Sequence, residues 1–175
     1  LRIEPGERVA LVGATGAGKT SVIKLLTRFY DPGRGRVLLD GVDLREMRQE
    51  DLRRRVALVQ QDVFLFSGTV AENIGLGRPD IDAATIERSA RAVAAHEFIS
   101  KLPQGYDTQL HERGANLSGG QRQLLSFARA LAHGADVLVL DEATSAIDTE
   151  TEAPSQKAPR GRGQGKRHVV AGKSR

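Results

Sequence analysis

Residues 13–20 combine glycines, a lysine and a threonine at a spacing that suits phosphate binding. They match the pattern G-x-x-x-x-G-K-[ST] and comprise Gly13, Ala14, Thr15, Gly16, Ala17, Gly18, Lys19 and Thr20. Glycines let the backbone curl so that several N–H groups converge on phosphate oxygens, and the dipole of a following helix adds positive potential. Lys19 would place a positive charge on the terminal phosphates, and the Thr20 hydroxyl would ligate Mg²⁺. The pattern predicts a phosphate-binding loop; the alternative is a glycine-rich turn that matches by chance.

Two acidic residues follow an apolar run near residue 140. Val137–Leu140 predicts a buried strand, and Asp141 and Glu142 come directly after it. In a fold with a phosphate loop, an acid at such a strand end lies where it can hold Mg²⁺, and the next acid can orient or deprotonate an attacking water. Taken alone, this pattern is also compatible with an ordinary strand end.

A third motif, at residues 117–121, has the order Leu-Ser-Gly-Gly-Gln. Ser118 is a good N-cap, and the glycines after it would leave backbone N–H groups and a hydroxyl uncovered at the positive end of a helix. This arrangement indicates either an anion site or a capped helix start, and the motif alone does not decide between them.

Apolar periodicity predicts the elements that would position these motifs. Strands are expected at 7–12, 37–39, 56–59 and 137–140, and helices at 19–29, 48–54, 83–94 and 118–132. Asp31-Pro32-Gly33 should stop the first helix, and Asp82 should cap the third. Strands that alternate with helices indicate an α/β fold with a mostly parallel sheet.

The composition excludes several classes of protein. The chain has no cysteine, which rules out disulfides, thiolate catalysis and cysteine-based metal sites. It has no apolar run of the roughly 20 residues that span a bilayer, and no leader that resembles a secretory signal. Because it starts at Leu1, we expect it to be part of a longer protein.

The positive charge of the chain is concentrated in its last residues. Residues 1–150 contain 19 basic and 21 acidic residues, whereas 151–175 contain seven basic residues and Glu152. The tail at 153–175 is also rich in Gly and Pro and lacks large aliphatic residues, so we expect it to be mostly disordered. The near-neutral body argues against a nucleic-acid footprint. A basic tail that binds nucleic acid or anionic membrane stays an alternative, with affinity that falls as salt rises.

Together these motifs resemble the nucleotide-binding domain of ABC transporters over about residues 1–152. Residues 117–121 look like the signature segment of that family. Three further matches are the glutamine of the Q-loop at Gln61, the D-loop aspartate at Asp148, and the X-loop of exporter-type members at 108–114. The resemblance points to multidrug or lipid exporters of the half-transporter class.

The resemblance implies a P-loop NTPase fold with a RecA-like core and a helical subdomain inserted at about 62–128. ATP would bind Gly13–Ser21 of one copy and Ser118, Gly119, Gly120 and Gln121 of a second copy, homologous or identical, in a head-to-tail dimer. Mg²⁺ would be held by Thr20, Gln61 and Asp141, and Glu142 would polarise the hydrolytic water. The helical subdomain would contact a membrane-spanning permease, which implies a place at the cytoplasmic face of the inner membrane. ATP binding would close the dimer, and hydrolysis would let it open.

Two parts of the family pattern are not found. An adenine-stacking aromatic residue would precede Leu1, and a switch histidine is expected near Lys173, where none occurs; His168 lies before the Val169–Ala171 run and is not assigned that role. The helix and buried strand expected after Glu152 are replaced by a Gly/Pro/Arg-rich stretch. This break in composition leads to the hypothesis of a frame-disrupted end, which fails if no other reading frame of the DNA restores a helix, a strand and a histidine.

Two other functions are weighed against an exporter ATPase. One is a soluble ABC ATPase of DNA repair or translation, which is disfavoured because the interval from Lys19 to Ser118 has no room for a long coiled coil and the chain has no cysteines for a zinc module. The other is a nucleotide-binding fragment whose catalysis is impaired by the two missing parts.

Overall fold

The computed structural model describes residues 1–60, 62–141 and, for its backbone, 167–172. In chain order, the strands and helices are β1 (Arg8–Val12), α1 (Lys19–Leu26), β2 (Leu38–Leu39), β3 (Val42–Asp43), α2 (Gln49–Arg55), β4 (Val56–Val59), β5 (Gly68–Thr69), α3 (Val70–Gly75), α4 (Ala83–Ala92), α5 (His96–Ile99), β6 (Gln109–Leu110), α6 (Gly119–Ala132), β7 (Val137–Asp141) and β8 (Arg167–Gly172). Short 3₁₀ turns lie at Leu44–Glu46, Gly105–Asp107 and Glu112–Gly114. None of the helices in these described parts is long and apolar enough to cross a membrane.

The described residues divide into two compact units. The first contains residues 1–58, 135–141 and β8. Its main sheet has the order β1-β8-β7-β4, in which β8 runs parallel to both β1 and β7. A two-stranded hairpin pairs β2 with β3, and α1 packs against β7. The predicted α/β fold with parallel strands is thus confirmed.

The core of the first unit forms where the apolar faces of α1 and α2 meet the sheet. Its buried members are aliphatic: Ile23, Leu39, Leu44, Leu52, Val137 and Val139. Burying such a side chain contributes about 1.5–3 kcal/mol relative to leaving it in water. Because α1 supplies Ile23 and β7 supplies Val137 and Val139, the same packing that stabilises the unit also holds α1 and β7 together.

Strand β8 corrects the expectation for the tail. Residues 167–172 do not lack regular structure; they form a strand between β1 and β7, with Val169 opposite Val9 on one side and Val139 on the other. The prediction averaged composition over 153–175, which hid a short β-branched run that pairs its backbone with two neighbours. A strand is therefore present in a stretch where the sequence predicts none.

The first helix is shorter than its apolar periodicity predicts. It ends at Leu26, and Phe29 lies beyond it with 62% of its surface exposed, so Phe29 does not extend the apolar face. Arg28 adopts a left-handed backbone conformation with φ 51°. Its guanidinium donates to Asp31 at 3.1 Å and to the carbonyl of Met47 at 2.7 Å. These tertiary contacts hold the chain in a turn, which local periodicity does not reveal.

The second unit consists of residues 59–60 and 62–134 of the described chain and is mostly helical. Helices α3 and α4 pack against α6 around an aliphatic core that includes Leu65, Val70, Ile74, Ile86, Ile99 and Leu125. Asp82 caps α4, as predicted, because its carboxylate accepts from the N–H of Thr85 at 2.8 Å. The helical subdomain predicted at 62–128 falls within this unit, and its boundaries stay a prediction.

Candidate nucleotide-binding site

The phosphate loop, residues 13–20, connects the end of β1 to the start of α1. Gly16 and Gly18 have φ angles of +85° and +87°, a left-handed conformation that glycine adopts without the penalty other residues incur. The N–H of Ala17 donates to the carbonyl of Ala14 at 3.1 Å, which closes the turn inside the loop. At Gly13 an added Cβ would lie 3.1 Å from the Cβ of Ala17. The glycines therefore allow both the left-handed backbone of the loop and its close packing.

The first turn of α1 is not capped by a side chain. Gly18 is its N-cap, and the turn contains no acidic residue. The N-terminal N–H groups and the positive end of the helix dipole thus face no compensating carboxylate of their own turn. Thr20 and Ser21 are exposed there. This is the electrostatic environment that favours a phosphate group.

Lys19 is held at the phosphate loop by the loop itself. Its Nζ donates to the carbonyl of Gly13 at 2.6 Å and to that of Ala14 at 3.0 Å. An ammonium has three donors, so a third proton is left for an anion while two hold the side chain in place. The positive charge is consequently fixed beside the curled backbone.

Asp141 ends β7, in the same unit as the phosphate loop, and its side chain is half-buried. Since α1 packs against β7, Asp141 and Thr20 belong to one packed body. A hydroxyl and a carboxylate are oxygen donors of the kind Mg²⁺ prefers, with water and phosphate oxygens as the remaining ligands. Among the described residues there is no cluster of three or more His, Cys, Asp or Glu side chains for a metal, and a site shared with phosphate does not need one. Gln61, Glu142 and Asp148 lie outside the described residues.

The signature segment, residues 117–121, lies in the second unit at the start of α6. Ser118 and Gln121 form a capping box: the Ser118 hydroxyl accepts from the N–H of Gln121 at 3.2 Å, and the Gln121 side chain accepts from the N–H of Ser118 at 2.9 Å. The predicted capped helix start is confirmed, because the hydroxyl oxygen serves the helix's own backbone; Ser118 itself is exposed, and the anion site stays a prediction. Gly119 and Gly120 are exposed, and a Cβ on Gly120 would meet nothing within 4 Å.

The segment just before the signature, residues 108–114, makes close contacts with its neighbours in the second unit. Strand β6 pairs antiparallel with β5, and the buried Thr108 accepts from the N–H of Gln104 at 3.2 Å. Arg113 and Gly114 both have left-handed φ angles, of 55° and 66°. A Cβ on Gly114 would lie 2.6 Å from Cδ1 of Leu65, so only glycine fits without displacing that side chain.

Comparison with known proteins gives a consistent result. The family model described as ABC transporter matches residues 1–145. The ATP-dependent lipid A-core flippase of Chromohalobacter salexigens is 52% identical over 158 residues, which cover 90% of this chain and 27% of that protein. ABC transporter B family member 1 of Arabidopsis thaliana is 51% identical over 158 residues, covering 90% of this chain and 12% of that protein. The putative multidrug export ATP-binding/permease protein YgaD of Bacillus subtilis is 49% identical, with 90% and 27% covered.

A solved structure is also similar. The structure of a bacterial Atm1-family ABC exporter with ATP bound superposes with a TM-score of 0.89 and 41% sequence identity, covering 98% of this chain and 30% of that one. The chain thus spans about a quarter of the length of the bacterial relatives it matches.

Proposed function

The chain belongs to the ABC transporter family, and from that premise we propose that it is the ATP-binding and hydrolysing domain that powers export through a membrane-spanning partner. The observation that carries this proposal is the phosphate loop. Its glycines curl the backbone, α1 begins without a side-chain cap, and Lys19 is held in place by two loop carbonyls. Each of these features provides donors or positive charge for the phosphates of ATP.

The residues that would bind ATP and Mg²⁺ have distinct roles in this proposal. Lys19 and the N–H groups of 13–21 bind the β- and γ-phosphates, while Thr20, Asp141 and Gln61 would hold Mg²⁺, whose charge offsets that of the phosphates. Glu142 orients the attacking water and takes up its proton. Together these residues bind ATP and prepare it for cleavage of the bond to the γ-phosphate.

The signature segment takes part from a second copy or a homologous domain. One chain contains one phosphate loop and one signature segment, so a head-to-tail dimer forms two composite sites. Ser118, Gly119, Gly120 and Gln121 of one chain would contact the phosphates bound to the other. Because ATP then bridges two chains, its binding closes the dimer, and its hydrolysis removes the bridge. Asp148 of the D-loop would lie at the same interface.

The similarity to a flippase and to multidrug exporters supports export as the process that is powered. The helical second unit would contact the permease, and this domain would then lie at the cytoplasmic face of the membrane. The substrate would be chosen by the permease and not by the residues of this chain.

A second candidate is a domain that binds ATP and dimerises but turns over slowly. It is favoured by the sequence at β8, where the parallel strand between β1 and β7 ends at Gly172 and is followed by Lys173 instead of a histidine. Lys173→His would then raise the rate of ATP hydrolysis. If that rate is unchanged while the chain already hydrolyses ATP, this candidate is excluded.

The decisive experiment measures ATP binding and assembly separately. Isothermal calorimetry with Mg-ATP should show one site per chain, and Glu142→Gln should form dimers on size exclusion when ATP is present and monomers when it is absent. Lys19→Ala serves as the control that lacks the phosphate contact. No heat of binding in the unmodified chain would refute the proposal, and hydrolysis at the original rate in Glu142→Gln would remove Glu142 from its role.

A further inference from the structure

Arg129, in the last part of α6, is a half-buried cation whose partners are neutral oxygen atoms. Its Nε donates to the carbonyl of Asn73 at 2.8 Å, Nη1 donates to the carbonyl of Phe64 at 3.1 Å, and Nη2 lies 3.4 Å from Oδ1 of Asn73. The guanidinium carbon is also 6.0 Å from the centroid of the Phe66 ring. Burial lowers the pKa of Arg129. Neutral partners offset the cost of burying a charge only in part, so net stability alone is a weak reason for an arginine here.

Asn73, on α3, is 2% exposed and uses its whole amide group. Its Oδ1 accepts from the N–H of Phe66 at 2.9 Å, and its Nδ2 donates to the carbonyls of Phe66 at 2.9 Å and Thr69 at 3.0 Å. The side chain therefore pairs with both backbone groups of Phe66, as a neighbouring strand would. These bonds satisfy the backbone N–H and C=O of Phe66, which lies in a stretch of chain that belongs to no helix or strand.

The stretch held in this way, residues 64–66, presents its side chains alternately. Phe64 and Phe66 are 53% and 52% exposed with ring centroids 5.0 Å apart, whereas Leu65 between them is 1% exposed. Leu65 packs against the bare Cα of Gly114. Residues 64–66 thus contact α3 and α6 through their backbone, and the turn before the signature segment through the Leu65 side chain, all within the second unit.

We propose that Arg129 and Asn73 act as positioning residues: their contacts with residues 64–66, here termed the clamp, tie the segment shortly after Gln61 to the helix that begins at the signature segment. The inference rests on the proposed function, in which ATP from a partner chain engages the N-terminus of α6. A displacement of α6 on that engagement is then passed through the guanidinium to 64–66, and hence toward Gln61. The clamp touches no ATP, so its effect falls on turnover and not on ATP affinity.

Steady-state ATPase assays on the full chain test the clamp. Arg129→Gln should lower kcat about tenfold and leave KM for ATP within about twofold, because coupling between such groups has moderate strength and the phosphate loop lies in the other unit. The kcat of Arg129→Lys should lie between those of Arg129→Gln and the unmodified chain, since one ammonium cannot donate in all the directions of a guanidinium. Asn73→Ala combined with Arg129→Gln should lower kcat no further than the stronger single variant. The matched control is Arg88→Gln on α4, where the arginine is exposed and contacts Thr85.

A second measurement reports on residues 64–66 directly. The chain contains no tryptophan, so Phe66→Trp introduces a single fluorophore at the clamp. Acrylamide quenching without nucleotide should increase about twofold when Arg129→Gln is added. The change in emission that Mg-ATP causes should disappear in the same variant. If Arg129→Gln fails to fold by circular dichroism, Arg129→Lys is used for both measurements.

The outcomes separate the clamp from the function on which it rests. Kinetic constants of Arg129→Gln equal to those of Arg88→Gln would overturn the clamp, as would multiplicative effects of the two clamp substitutions. If the unmodified chain binds no ATP, the proposed function fails, and the clamp is judged by quenching without nucleotide: unchanged quenching in Arg129→Gln overturns it.

Discussion

Helix α1 follows a glycine and helix α6 begins with one, yet their N-termini are built in opposite ways. At α1 the N-cap is Gly18 in a left-handed conformation, and no side chain serves the first turn. At α6 the N-cap is Ser118 in an extended conformation, and it exchanges hydrogen bonds with Gln121 in a capping box. The N-terminus of α1 leaves its N–H donors for a ligand, whereas the N-cap side chain of α6 already accepts from one of its N-terminal N–H groups.

This difference explains why the two ends have different roles in the proposed function. An N-terminus without a side-chain cap is less stable alone and gains more from an anion, which suits the site that binds ATP first. A capped N-terminus is stable without a ligand and offers fewer free donors. It is therefore suited to complete a site that a partner chain has already filled.

Removing the charge at the uncapped end should have the largest effect. Lys19→Ala should weaken Mg-ATP binding about 100-fold, or about 2–3 kcal/mol, because a charge-assisted contact with the phosphates is lost. Lys24→Ala on the same helix is the control, since Lys24 is exposed and lies over the Tyr30 ring instead. Calorimetry measures both. Equal affinities for the two variants would contradict the role of Lys19.

Replacing a glycine by alanine at the N-terminus of α1 and at that of α6 should change stability in opposite directions. Gly18→Ala should lower the free energy of unfolding by about 1–2 kcal/mol, because alanine is strained at φ +87°. Gly120→Ala should raise it by about 0.5–1 kcal/mol, because alanine favours a helix and the site is open.

Urea unfolding, monitored by circular dichroism, compares the stabilities of these two glycine variants. ATP binding by a single chain should weaken in Gly18→Ala and stay unchanged in Gly120→Ala. ATP-dependent dimers of the Glu142→Gln chain should be lost when Gly120→Ala is added. A destabilised Gly120→Ala would show that the two ends are more alike than their geometry indicates.

Removing the cap of α6 should have a smaller effect on stability. Ser118→Ala should lower the free energy of unfolding by about 1 kcal/mol, since the N–H of Gln121 loses its acceptor. Ser118→Asn keeps an N-cap oxygen and should lose at most a few tenths of this. Thermal or urea unfolding distinguishes the two variants, and equal losses in both would contradict the capping role.

The smallest effect is expected at the opposite end of α6, where His133 is the C-cap. Burial is the main cause that lowers the pKa of His133, and the charge of Arg78 is the second. Its Nε2 is buried and has no hydrogen-bond partner among the residues that the structure describes. Burial thus outweighs the helix dipole, which would favour a cation here. A histidine with a lowered pKa binds its proton more tightly when unfolded, so its contribution to stability is complete above about pH 6.5 and is lost as the pH falls.

Urea midpoints at pH 7.5 and 5.5 measure this dependence. The midpoint should fall less between these pH values in His133→Leu than in the unmodified chain. All other residues are the same in both chains, so the difference between the chains reports on His133. An identical fall in the two would remove His133 as its cause.

The local features of the fold and site were predictable because neighbouring residues determine them. The phosphate loop, the cap at Asp82 and the start of α6 follow from turn and capping preferences over a few residues. The extent of α1 was not predictable, since Arg28 is held by a carbonyl 19 positions away. The use of the Ser118 hydroxyl was open to prediction, because a glutamine at N3 is the sign of a capping box.

The sequence by itself determined the chemistry of this protein: a glycine-rich loop with Lys19, an acid after an apolar strand, and the family these motifs identify. Only the tertiary structure decided that residues 167–172 form a strand, because this depends on the open ladder positions of β1 and β7. The same holds for Arg129 and Asn73, whose partners lie up to 65 positions away in the chain. Hydrogen bonds between distant segments leave no recognisable pattern in a sequence, whereas turns and caps leave a local pattern of residue types.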